Sequence, residues 1–134
     1  MTDYKHRVRL VKKSDLSLIL SWRNHEEIRK HMYNKKIISN EEHLNWFNKS
    51  NNDPKKTLLI YEYLGEAQGY INFEDLIDGG EEGVWGFYLS PFCKLKLGLA
   101  MGQTALKYGF DNIGYKKVWG EVIKENIISQ RFHE

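Results

Sequence analysis

The nine residues "KLKLGLAMG", Lys94 to Gly102, follow directly on the turn "LSPFC" and combine two lysines and two glycines with a run of leucines. They read as a basic loop opening into a helix. The first N–H groups of a helix have no partner within it and carry roughly half a positive charge, so they bind phosphates. Gly98 allows a ligand close to the backbone, and Lys94 and Lys96 add charge. Two common phosphate loops do not fit. The P-loop needs a Gly-Lys-Ser/Thr ending, which is missing here. The dinucleotide fingerprint needs its third glycine three residues after the second, whereas Gly98 and Gly102 stand four apart with Ala100 between them.

Other residues could carry proton or anion chemistry. Arg23 continues the apolar stripe of Leu16, Ile19 and Leu20, where a guanidinium either pairs with a nearby glutamate or contacts a ligand; its planar fork suits phosphate. Tyr70, Asn72 and Glu74 alternate on one strand face, opposite Ile71 and Phe73, and Tyr88 lies on the next strand. Along "VWGEVI", Glu121 shares a face with Trp119 and Ile123. A carboxylate there is either satisfied by a partner or titrates high, and in the second state it could take a proton from an ammonium. His43 lies one turn before Trp46 and Phe47, Asn126 could cap the last helix, and Ser129 follows it. Cys93 has no histidine placed in sequence to activate it and reads as a small loop residue.

These groups need a scaffold. "KHRVRLV" alternates as a first strand, and Ser14 is placed to cap a helix through Leu20. "SNEE" from Ser39 is a capping box with Glu42, opening a second helix through Phe47. "KTLLIYEYLGEAQGYINFED" reads as a hairpin around Gly65, and "GVWGFYLS" as a strand ended by Pro91. A helix from Gly98 to about Asn112 is expected to bury Leu99, Ala105, Leu106 and Phe110. "KKVWGEVI" is a strand and "NIISQRFHE" a helix start, so the order is β-α-α-β-β-β-α-β-α, an α/β arrangement.

The whole composition is consistent with this. A chain of 134 residues forms one domain, and 41% hydrophobic with 13% aromatic residues is globular rather than disordered. The net charge of +2 with well-mixed signs gives no basic face for nucleic acid. No run approaches a membrane span and the N-terminus lacks the apolar segment of a signal peptide. A single cysteine excludes an internal disulfide framework, so a cytoplasmic location is expected.

The order of elements and "LKLGLA" resemble the GCN5-related N-acetyltransferases, whose pyrophosphate loop is Arg/Gln-x-x-Gly-x-Gly/Ala. Gly98 and Ala100 match it, and Leu95 replaces the Arg/Gln. "WRNHEEIRKHMY", "ISNEEHLNWF", "GFYLSPF" and "GEVIKENIIS" resemble more narrowly the members acting on a UDP-linked amino-dideoxy sugar of pseudaminic acid biosynthesis. The resemblance implies a mixed central sheet with helices on both faces and acetyl-CoA as cosubstrate, with no metal. It implies that Leu89, Lys94, Lys96, Gly98, Leu99, Ala100, Asn126 and Ser129 hold the cosubstrate, and that Arg23, His43, Tyr70, Asn72 and Tyr88 line the acceptor cleft. Glu121 is implied as general base. His133 stands where many of these enzymes carry a tyrosine general acid; an unperturbed histidine is about a quarter protonated at pH 7, against nearly full protonation for tyrosine. The acceptor amine is implied to be the sugar 4-amino group; the ribosomal-protein type of acceptor, a protein N-terminus, is the alternative. The family fold also continues with two strands beyond the last helix, while this sequence stops within it, so pairing into a homodimer or a weakly active CoA-binding remnant are further expectations.

Overall fold

The computed structural model describes residues 5–32, 34–76 and 80–120. Strand β1 (His6–Leu10) leads to helices α1 (Leu16–Asn24), α2 (Glu26–Arg29) and α3 (Asn40–Asn51). Strands β2 (Lys56–Tyr63), β3 (Glu66–Asp75) and β4 (Glu82–Leu89) precede helix α4 (Gly98–Tyr108) and strand β5 (Lys117–Gly120). The five strands form one sheet in sequence order, antiparallel from β1 to β4, with β5 parallel to β4. The expected order holds through β5 except that a third, four-residue helix, α2, stands between the two expected after β1, and the final expected helix lies outside the described residues.

Alternation along the strands builds two apolar layers. Leu59, Tyr61, Ile71, Phe73 and Trp85 face α4, which contributes Met101 and Ala105. Leu58, Ile60 and Tyr70 face the other way, against Ile19 and Trp22 of α1 and Phe47 of α3. Helices therefore cover both faces, as a sheet with apolar residues on each side requires.

Local signals account for most boundaries. Ser39 Oγ accepts from the Glu42 N–H at 3.1 Å and Glu42 Oε1 from the Ser39 N–H at 3.4 Å, so the expected capping box starts α3. The β2–β3 hairpin turns at Leu64 (φ 52°) and Gly65 (φ 83°), flanked by the pair Tyr63 and Glu66. Two positive φ angles are what a tight hairpin of this hand needs.

Three expectations need correction. Ser14 does not cap α1: it sits exposed within a short 3-10 turn, Lys13–Asp15, and the carboxylate of Asp15 takes the Lys12 N–H at 2.7 Å and both outer nitrogens of Arg9 at 2.8 and 2.9 Å. Leu99 and Phe110 are 64% and 42% exposed, because α4 packs through Leu97, Met101 and Ala105, spaced four apart. Helix α3 runs beyond Phe47 to Asn51.

No helix among the described residues is long and apolar enough to cross a membrane, and no group of three or more His, Cys, Asp or Glu side chains among them is placed to hold a metal ion.

Candidate active site

A cavity of about 1030 Å³ runs from α1 and α3 across β3 and β4 to the start of α4. All five residues expected to line the acceptor cleft, Arg23, His43, Tyr70, Asn72 and Tyr88, line it, as do Leu89 and Gly98. Its wall is a ladder of rings. His43 stacks on Trp46 at 5.1 Å, Trp46 meets Tyr70 edge-on at 6.2 Å, and Tyr70 lies 5.4 Å from Tyr88. The capping box places His43 in the first full turn of α3, on the same face as Trp46 and Phe47.

The electrostatics of the interior follow from burial. Desolvation pushes the phenols of Tyr70 and Tyr88 up, so both remain neutral donors. It pushes His43 below its ordinary value, and the nearby positive charge of Arg23 adds to this. Desolvation also lowers Arg23, yet a guanidinium stays charged in water-accessible pH ranges. Arg23 is therefore the fixed charge among these five residues. Its Nη2 donates to the Asn34 carbonyl at 2.7 Å, and its Nη1 is buried with no hydrogen-bond partner. Of the two alternatives for Arg23, the glutamate pairing is not found: Glu27 pairs with Lys30 at 2.9 Å, and Arg23 has no ion pair among the described residues.

One side of the cavity is a segment without regular structure, held by side chains. Asn24 donates to the Ile38 carbonyl at 2.8 Å and accepts from the Ile38 N–H at 2.7 Å, as a neighbouring strand would. Arg29 bridges back to the Asn24 carbonyl at 2.8 Å and forward to the Lys35 carbonyl at 3.1 Å. These bonds fix α2 and the turn beyond it, so Glu27, Ile28, His31 and Met32 also line the cavity. Sequence reasoning did not single out these four. They lie in the quoted stretch "HEEIRKHM", but a four-residue helix leaves too short a periodicity to reveal a buried side.

The far end of the cavity has backbone donors without a partner among the described residues. The bonds from the Leu76 N–H to the Glu82 carbonyl and from the Ser90 N–H to the Gln68 carbonyl make Leu89 and Gly69 a non-hydrogen-bonded pair. The Leu89 amide thus points away from β3, to the side where β5 pairs with β4 as far as Trp85. At α4, Leu97 makes no side-chain cap, and the N–H groups of Gly98, Leu99 and Ala100 have no acceptor among the described residues. An added Cβ at Gly98 would meet only Leu89 Cδ1, at 3.9 Å, so the approach is open. Lys94 and Lys96 are exposed beside it, and the Cys93 thiol, which lines the cavity, reaches the Leu95 carbonyl at 3.5 Å. These donors fit a diphosphate at the helix and a polarised carbonyl near Leu89. Lys94, Lys96, Leu99 and Ala100 do not themselves line the cavity, and Glu121, Asn126, Ser129 and His133 lie outside the described residues.

Residues 6–134 match the acetyltransferase (GNAT) domain. Acetyltransferase PseH of Campylobacter jejuni (strain 81-176) is 30% identical over 112 residues, which is 84% of this chain and 69% of that protein. The solved spermidine N-acetyltransferase from Vibrio cholerae, in complex with CoA and spermine, superposes with a TM-score of 0.85 at 17% identity, covering 97% of this chain and 78% of the other. The solved Campylobacter jejuni N-acetyltransferase PseH superposes with a TM-score of 0.71 at 19% identity, covering 96% and 83%. At these identities the two structures speak for the fold alone.

Proposed function

This chain belongs to the GNAT acetyltransferase family, and we propose that the acceptor it acetylates is a UDP-linked amino-dideoxy sugar. It is an N-acetyltransferase that uses acetyl-CoA. The observation carrying the choice of acceptor is Arg23, a half-buried cation whose Nη1 is buried without a hydrogen-bond partner, on the wall of the aromatic cavity. Such a group suits an acceptor that brings negative charge along with its amine. The resemblance to nucleotide-sugar acetyltransferases and the 30% identity to acetyltransferase PseH support the same choice.

A polyamine acceptor, as bound in the Vibrio cholerae enzyme, would favour carboxylates over an arginine. Three glutamates, Glu27, Glu42 and Glu74, line this cavity, and all are exposed. Glu27 is paired with Lys30, and Glu42 is engaged at the α3 cap. The interior therefore discriminates against a polycation.

Acetyl-CoA supplies an acetyl group as a thioester already reactive toward a neutral amine. The remaining work is positioning and charge stabilisation. The amides of Gly98, Leu99 and Ala100 with Lys94 and Lys96 hold the diphosphate. The Leu89 N–H faces the thioester carbonyl and donates to its oxygen as negative charge grows there. Arg23, His43, Tyr70, Asn72 and Tyr88 orient the acceptor so that its nitrogen meets the carbonyl carbon. Glu121 takes the ammonium proton to give the neutral amine, the C–N bond forms as the C–S bond breaks, the attacking nitrogen sheds its second proton to solvent, and His133 returns a proton to the departing sulfur.

The deciding experiment compares acceptors at saturating acetyl-CoA: a UDP-linked 4-amino-4,6-dideoxy sugar, a basic N-terminal peptide and spermidine, each followed by free-thiol release. Faster release with the UDP sugar supports the proposal. Preference for the peptide or spermidine overturns it, and acetyl-CoA binding without release to any acceptor would identify a CoA-binding remnant.

A further inference from the structure

Among the described residues, only two buried side-chain nitrogen or oxygen atoms lack a hydrogen-bond partner: Arg23 Nη1 and His31 Nδ1. Both residues line the same cavity. Leaving a buried polar atom unpaired is costly, and folded proteins rarely tolerate it without a reason. Two such atoms in one cavity are explained together by a ligand that satisfies both.

We propose that Arg23 Nη1 and His31 Nδ1 form an oxyanion subsite of the acceptor pocket, and that His31 selects acceptors carrying a phosphate or carboxylate oxygen. The inference rests on the acceptor reading above and deepens it. Arginine only donates, and its charge favours an anionic partner. His31 donates from Nδ1 in the tautomer that carries its proton there, so both atoms offer donors to an anionic ligand in the same cavity. The subsite is built in advance. The His31 N–H is bonded to the Ile28 carbonyl at 3.1 Å and the Met32 N–H to the Arg29 carbonyl at 3.0 Å. Ile28 is buried beneath them, and Arg29 clasps the segment on both sides. Preorganisation of this kind limits the ordering entropy paid on binding.

The test uses protein saturated with CoA, so that the α4 amides are occupied. UDP, pyrophosphate, glutarate and uncharged uridine are then titrated calorimetrically into wild type, H31F, H31N and H31Q. At least one anion is expected to bind, with H31F and H31Q weakening it about tenfold or more and H31N only a few-fold, because asparagine carries its amide where Nδ1 stands while glutamine carries it further out. CoA affinity and thermal stability of H31F should not fall, since the variant removes an unpaired buried polar atom. Binding of pyrophosphate or glutarate but not UDP would keep the subsite and overturn the nucleotide reading. Absence of any anion binding by folded, CoA-loaded protein overturns the subsite. So does wild-type affinity in H31F, an H31N loss equal to that of H31F, or uridine binding as tightly as UDP with the same sensitivity to H31F.

Discussion

Arg23 donates from Nη2 to the backbone carbonyl of Asn34 at 2.7 Å while its Nη1 stays buried and unpaired in the cavity. One bond anchors the guanidinium and leaves the other nitrogen for a ligand. The same residue thus ties the cavity wall in place and, in the proposed function, supplies the charge that distinguishes acceptors.

Replacing Arg23 with lysine keeps a positive charge but cannot serve both partners at once. Acceptor KM should rise about tenfold to a hundredfold, corresponding to roughly 1.4–3 kcal/mol, with acetyl-CoA affinity little changed. Steady-state kinetics with each substrate varied in turn measures this. An R23K enzyme with unaltered acceptor KM contradicts the role given to Arg23.

Asn24 binds both backbone groups of Ile38. Asn24→Ala should destabilise the fold by about 1–3 kcal/mol by leaving those groups without their partner. Asn24→Asp should be no better: it keeps the bond from the Ile38 N–H and sets an oxygen against the Ile38 carbonyl. Denaturant midpoints at constant m-value report both, and a fully stable N24D would show that the clamp is not what holds the wall.

His43 gives the fold a pH dependence whose sign is fixed. Burial lowers its pKa in the folded state below the 6.5 of an unfolded histidine. The unfolded chain then binds more protons just below pH 6.5, so the stability present above that value falls as pH drops through it toward the folded pKa. Stability measured from pH 7.5 to 5.5 should decline less steeply in His43→Phe, which keeps a ring against Trp46. Parallel curves for the two proteins would contradict this.

Gly83 packs under Tyr115, whose ring carbons stand 2.4–2.7 Å from where a Cβ would be; the Tyr115 hydroxyl also donates to Asp75 Oδ1 at 2.6 Å. A rigid ring tied at its far end cannot step aside. Gly83→Ala should cost about 1–3 kcal/mol through overpacking, read as a lowered thermal midpoint. A wild-type midpoint would mean that β4 and β5 shift more readily than this packing implies.

Much of the candidate cavity's lining was legible in the sequence because those residues lie on regular elements. Alternation put Tyr70 and Asn72 on one face of β3, helical spacing put Arg23 on the buried stripe of α1, and Ser39 with Glu42 announced α3 and hence the place of His43. His31 and Met32 were not legible, since they sit after a single helical turn whose position is set by side-chain bonds from Asn24 and Arg29. Leu99 and Phe110 were misjudged for a related reason. Hydrophobicity alone does not say which side of α4 meets the sheet, and Leu97, Met101 and Ala105 took that side. The glutamates near Arg23 suggested an ion pair, but Glu27 pairs with Lys30 within its own turn instead.

The most direct test of the account is a calorimetric titration with acetyl-CoA, followed in the same sample by free-thiol release on adding a UDP-linked 4-amino-4,6-dideoxy sugar. The account predicts saturable one-site binding and then stoichiometric thiol release with N-acetylation of the sugar. A folded sample that binds acetyl-CoA and releases no thiol with this sugar, yet does so with spermidine or a peptide, would contradict it.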